Sequence, residues 1–147
     1  MPMAAAVLIA VAMPITLVAA APTLTKSRVV TSQVKRQLGS PATFPTAKAL
    51  MNRLVVATRK AVAGAGDGGP AKVKWTLTVK TTGTTATSSG SVTVRGLADD
   101  SVVGWTTNVT LKRLPAGIYD PARWRLLRAD RRDICARGLS TTRARCR

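Results

Sequence analysis

The densest chemistry in the sequence lies near its C-terminal end, where Arg123, Arg125, Arg128, Arg131, Arg132, Arg137, Arg143, Arg145 and Arg147 follow one another closely. Guanidinium groups hold phosphate or carboxylate oxygens in two-pronged hydrogen bonds and stack on flat groups, so the cluster reads as an anion-binding surface. Asp130 and Asp133 are the acids within it and can neutralise only a few of its members. Trp124 offers a ring for stacking, but a tryptophan in a patterned segment is more often core, and we prefer that reading for it. Lys72, Lys74 and Lys80 alternate with apolar residues and could extend the positive surface. Lysines on an edge strand also deter sheet-to-sheet aggregation, which is the preferred explanation here.

Other chemistry is sparse. Cys135 and Cys146 are the only cysteines. A disulfide between them is expected if the domain is exported, and it would contribute at most ~3 kcal/mol on the loop-entropy model. The chain has no His and no Glu. Two cysteines without histidine cannot complete a standard zinc site, and no imidazole exists to activate a thiol. The commonest general bases are absent as well. Asn108-Val109-Thr110 fits the N-glycosylation pattern, a short match that arises often by chance and here falls within an expected strand. Asp99-Asp100 reads as a turn. Gly64 to Gly69 matches neither a phosphate loop nor a dinucleotide fingerprint, and there is no nucleophile elbow. We therefore expect a non-enzymatic protein with no catalytic residue, metal or cofactor and no small-molecule substrate.

Charge dominates the composition. Lys and Arg number 23 against 6 acids, for a net charge of +17. Such a field attracts phosphates, anionic headgroups and acidic polymers. A GC-rich coding sequence would enrich Arg, Ala and Gly in the same way, but the field is the same whatever its origin. At 147 residues the chain is long enough for one domain. Aromatics are only 3%, so the core must come from Val, Leu, Ile and Ala.

The elements that position these residues follow from periodicity. Residues 4–21 are apolar and uncharged. Pro14 and the small residues Val18-Ala19-Ala20 favour a cleaved signal peptide. The absence of Lys or Arg before the run, with Lys26, Arg28, Lys35 and Arg36 after it, instead fits an anchor that keeps the basic domain in the cytoplasm. A buried Ala-rich helix is the third reading. Residues 25–38 carry Val30, Val34 and Leu38 at helical spacing, with Thr25 and Gly39 as candidate caps, although a strand also fits. Residues 46–63 form an amphipathic helix with Leu50, Met51, Leu54 and Val55 on one face, ending near Gly64.

Strict alternation makes Lys72–Lys80 a strand, with Trp75 and Val79 inward. Thr81 to Gly90 reads as a hairpin tip, and Ser91–Arg95 and Ser101–Lys112 as the second and third strands, with Trp105 and Val109 inward. Asp120-Pro121 is a helix-start signal, and Trp124, Leu127 and Ile134 suggest a helix to Ala136.

The expected fold class is α+β: a small antiparallel three-stranded meander packed on an amphipathic helix, with a basic C-terminal helix. Residues 1–20 form a signal peptide or anchor, and residues 21–147 a single basic domain with an Arg-rich tail. The expected function is that of an exported, secreted or membrane-associated cationic protein bound to an anionic surface: membrane headgroups, cell-wall polymer or nucleic acid. The alternative is a nucleic-acid-associated or virion structural protein with residues 4–21 as anchor or core helix. The composition also fits an open reading frame without a selected biochemical role. If export is correct, intact-mass analysis of protein recovered from its native compartment should give a chain beginning at Ala21; retention of Met1 would reject cleavage.

Overall fold

Residues that alternate between β-branched and polar types dominate the second half of the chain, and this half supplies the long strands. The computed structural model describes residues 23–39, 43–63, 71–82, 85–97, 99, 101–118, 121–137 and 146. In chain order the elements are β1 (Thr23–Leu24), β2 (Arg28–Val29), α1 (Thr31–Leu38), β3 (Thr43–Phe44), α2 (Ala47–Val62), β4 (Lys72–Thr82), β5 (Thr85–Arg95), β6 (Val102–Leu114) and β7 (Arg123–Cys135). All seven strands share one antiparallel sheet of order β1-β7-β6-β5-β4, and β2 and β3 also pair with β7. The mix of helix and sheet is α+β, but the three-stranded meander expected from the sequence is corrected to a seven-stranded sheet.

The basic C-terminal helix is the main error, since residues 123–135 form the strand β7. Trp124 and Leu126 face the core and Arg125 faces out, as alternation requires. An irregularity opposite Thr110 and Leu111 then inserts Leu127, so that the next buried residue is Ala129. One extra residue turns a spacing of two into a spacing of three, which imitates a helical stripe. The ladder to β6 also satisfies backbone groups that β6 would otherwise leave open.

Smaller differences have local causes. The Thr/Ser tract expected as a hairpin tip is already strand from Thr85, because it pairs with β4 on one side and, from Thr87, with β6 on the other. Helix α1 starts at Thr31 with Val30 as N-cap, while Thr25 is used elsewhere, and Gly39 ends the helix with a positive φ of 70°. Thr46 caps α2, its Oγ1 accepting from the Ala49 N–H at 3.0 Å. Gly64, expected as the cap of that helix, and the apolar segment 4–21 lie outside the described residues. Among the described residues no helix is long and apolar enough to cross a membrane.

Both helices lie on one face of the sheet. Leu50, Met51 and Leu54 of α2 are completely or almost completely buried against Val92, Val109, Leu111, Leu126 and Ala129. Register places Trp75, Trp105, Val79 and Val109 on this same face: Trp75 opposes Val92, and Val94 opposes Trp105. The expected burial holds for Val109 alone. Both tryptophans are only half-buried and Val79 is 51% exposed, because α2 covers the middle of the sheet and not its rim. Trp75→Ala should therefore cost less than the ~3–5 kcal/mol of a fully buried ring.

Two glycines allow close approaches. A Cβ on Gly90 would lie 2.9 Å from the Thr76 carbonyl oxygen and 3.0 Å from the Met51 sulfur, and one on Gly104 would run into the Val94 carbonyl. Gly104→Ala should destabilise more than Gly90→Ala, since its Cβ would meet only neighbouring backbone and far more closely, whereas at Gly90 part of the crowding comes from the flexible Met51 side chain. Leu54→Ala should destabilise by about 2–5 kcal/mol. Urea denaturation of the three variants checks both expectations.

Candidate anion-binding face

The face of the sheet away from the helices is polar from β4 to β7. One cross-strand row runs Lys74–Thr93–Thr106–Arg132, the next Thr76–Ser91–Asn108–Asp130, then Thr78–Ser89–Thr110–Arg128, and finally Lys80–Thr87–Lys112–Arg125. Lys72 and Arg95 stand opposite each other at one end. Cations are concentrated in the outer rows, six residues apart along β4, a distance of roughly 20 Å at strand rise. Hydroxyls fill much of the rest of these rows, and two pairs of them bond each other: Thr76 with Ser91 at 2.9 Å and, within the outer Lys74–Arg132 row, Thr93 with Thr106 at 3.1 Å.

Asp130 is the only carboxylate on this face among the described residues. The Arg128 guanidinium donates to both its oxygens, at 2.7 and 2.9 Å. This hydrogen bonding holds the Asp130 carboxyl below the ordinary aspartate value against a smaller effect of desolvation, and raises the Arg128 pKa in turn. The middle of the face is thus locally neutralised and its two ends are not.

The arginines expected to act together are distributed by the sheet. Arg125, Arg128 and Arg132 share the outer face with Lys72, Lys74 and Lys80. Arg123 lies at the start of β7, opposite Leu114, and Arg137 follows the strand, exposed. Arg143, Arg145 and Arg147 lie outside the described residues. Arg131 points to the helix side. There its guanidinium lies 4.0 Å from the Trp105 ring centroid and its Nε donates to Asp133 at 2.9 Å, while Arg28 approaches the other Asp133 oxygen at 3.3 Å. Trp124 is buried in the core. Sequence reasoning passed over Arg95 and Lys112, which complete the outer rows. Their alternation within β5 and β6 was legible, but their place beside Lys72 and Arg125 depends on cross-strand register.

Cys135 and Cys146 form a disulfide with Cα atoms 5.0 Å apart. Asp99 accepts from the Ser101 and Val102 N–H groups at 2.7 and 2.9 Å, the turn expected of it. The Val102 and Ser101 bonds lower its pKa. What this turn contributes is present above the ordinary aspartate pKa and is lost as pH falls through the lowered folded value.

Two cavities flank the core. One of about 30 Å³, lined by residues that include Gln33, Gln37, Thr58, Trp105 and Arg131, has room for about two waters. Another of about 280 Å³ is lined by Lys35, Leu38, Gly39, Thr43, Leu114, Arg125 and Leu126. No group of three His, Cys, Asp or Glu residues that could hold a metal ion occurs among the described residues. No protein-family model, no curated protein and no solved structure matches the chain.

Asp133 receives two cations and is mostly buried, whereas Asp130 holds one at the surface. Asp133→Ala should therefore destabilise by on the order of 1–2 kcal/mol, leaving Arg131 partly buried without its carboxylate. Asp130→Ala should have a smaller effect on urea unfolding.

Proposed function

We propose that this protein is a small cationic binding protein whose outer sheet face associates with an anionic polymer. The observation that carries this reading is the distribution of charge on that face: lysine and arginine at both ends, hydroxyls between, and Asp130 as its one carboxylate among the described residues. Cations separated by roughly 20 Å cannot be engaged together by a single small anion, but an extended ligand with repeating charges can span them.

The face carries no aromatic side chain among the described residues, because Trp75, Trp105 and Trp124 belong to the helix side. Base stacking therefore has no platform there, and recognition rests on charge and hydroxyl contacts. Leu127, at the irregularity in β7, is the exposed large apolar residue beside these rows, too little to insert into a bilayer. A repeating anionic polymer fits these features better than single-stranded nucleic acid or membrane insertion. The apolar segment 4–21 and the Cys135–Cys146 disulfide support an exported setting, since disulfides persist in oxidising compartments.

Binding to polyphosphate, an anionic wall polymer and duplex DNA should weaken steeply as salt rises, because each neutralised anion releases counterions. Lys74→Gln, Arg125→Gln and Arg132→Gln combined should weaken binding and flatten the salt slope without unfolding the protein, since exposed cations contribute little to stability. The expected order places the wall polymer and polyphosphate at or above DNA. A triple variant with unchanged affinity and salt slope would reduce the face to solvated surface, and a strong preference for DNA would move the assignment to the nucleic-acid-associated reading.

A further inference from the structure

The two edges of the sheet are treated differently. Along β7 the chain closes its own edge. β1, β2 and β3 pair with it, and the intervals between them are filled as well: the Asp133 N–H donates to Thr25 Oγ1 at 2.8 Å and the Ala129 N–H to Thr31 Oγ1 at 3.0 Å. At the opposite edge, among the described residues, β4 pairs only with β5. The Thr78 carbonyl accepts from Ser88 Oγ of β5 at 2.9 Å, and the Thr76 carbonyl points at Gly90 of β5. Strand geometry alternates the direction of backbone groups. The N–H and C=O groups of Val73, Trp75, Leu77 and Val79 are therefore those at the free edge, and they have no partner among the described residues.

We infer that β4 is a docking edge for an extended, acidic segment of another protein, added as a further antiparallel strand. Backbone pairing along such an edge supplies affinity, and the alternate side chains supply selectivity. On the helix side the rim of Trp75, Leu77 and the exposed Val79 offers apolar contact to alternate residues of the incoming strand. On the outer side Lys74 and Lys80 select for carboxylates at the intervening positions. A second copy of this chain is excluded as the natural occupant. Neither β4 nor β5 contains an acid, and two chains of net charge +17 would bring lysine-bearing strands together. The lysines thus act in both directions, opposing self-addition and admitting an acidic strand.

The test uses the full chain and a blocked eight-residue peptide of alternating Glu and Val. A peptide of alternating Glu and Pro serves as the control, with the same charge but unable to donate to a strand ladder. The Glu-Val peptide should bind, shift tryptophan emission and slow amide exchange at Trp75, Leu77 and Val79; the control should do none of these. Lys74→Glu with Lys80→Glu should weaken the Glu-Val peptide at least about tenfold and admit a Lys-Val peptide instead. Val79→Pro, which removes an edge donor where proline is tolerated, should weaken the peptide while leaving Tm nearly unchanged. Arg125→Gln with Arg132→Gln should leave peptide binding intact, which separates this edge from the anion-binding face. Equal binding of the two acidic peptides without amide protection, or a stable dimer of the free protein, would overturn the inference.

Discussion

The structure depends on the double pairing of β7. This strand runs along β6 through a ladder from Val102 to Leu114, and its other side receives β1, β2 and β3. The N-terminal part of the described chain has too few residues in each extended piece to form a sheet of its own. It gains order by docking onto a strand from the far end of the sequence. Thr25 and Thr31 take part in the same docking, each hydroxyl accepting from a β7 amide where no strand is present. Unpaired amides at a half-covered edge are costly, which explains why side chains are recruited to fill the gaps. The disulfide starts from the last residue of this strand, and Asp133 of the strand pairs with Arg131 within it and with Arg28 of β2.

With β7 held in this way, the sheet has one dry face and one wet face. The dry face is made of small and branched apolar residues. Its contacts with α1 and α2 are close enough for Gly90 to lie against Met51. Among the charged residues described on that face, Arg131 meets Asp133 and the Trp105 ring. The wet face carries nearly all the hydroxyls of the long strands and most of their cations. In a solvated array of this kind, no cation needs to be desolvated to hold its place, so the face can carry positive charge without burying it in the core. The proposed anionic-polymer role and the fold are therefore compatible: the residues proposed to bind are those that the fold leaves unused.

The sequence alone determined a good part of this. The helix of residues 46–63, the strand at Lys72, the turn at Asp99 and the disulfide partners were legible because each is governed by local periodicity, a local hydrogen bond or the lack of any other cysteine. The positive charge and the absence of His and Glu were also plain. Tertiary structure decided the state of residues 123–135. Their helical signals, Asp120-Pro121 and the Trp124, Leu127 and Ile134 spacing, are local, whereas the irregularity at Leu127 and the ladder to β6 exist only once β6 is alongside. It likewise decided which arginines act together. Arg131 and Arg132 are neighbours in sequence and opposite in space, since successive side chains of a strand leave its two faces; Lys74 and Arg132, far apart in sequence, share one row because four strands align them. Residue type sets what each group can bind, but cross-strand register sets which groups bind together, and register is a property of pairs of segments that no single segment encodes.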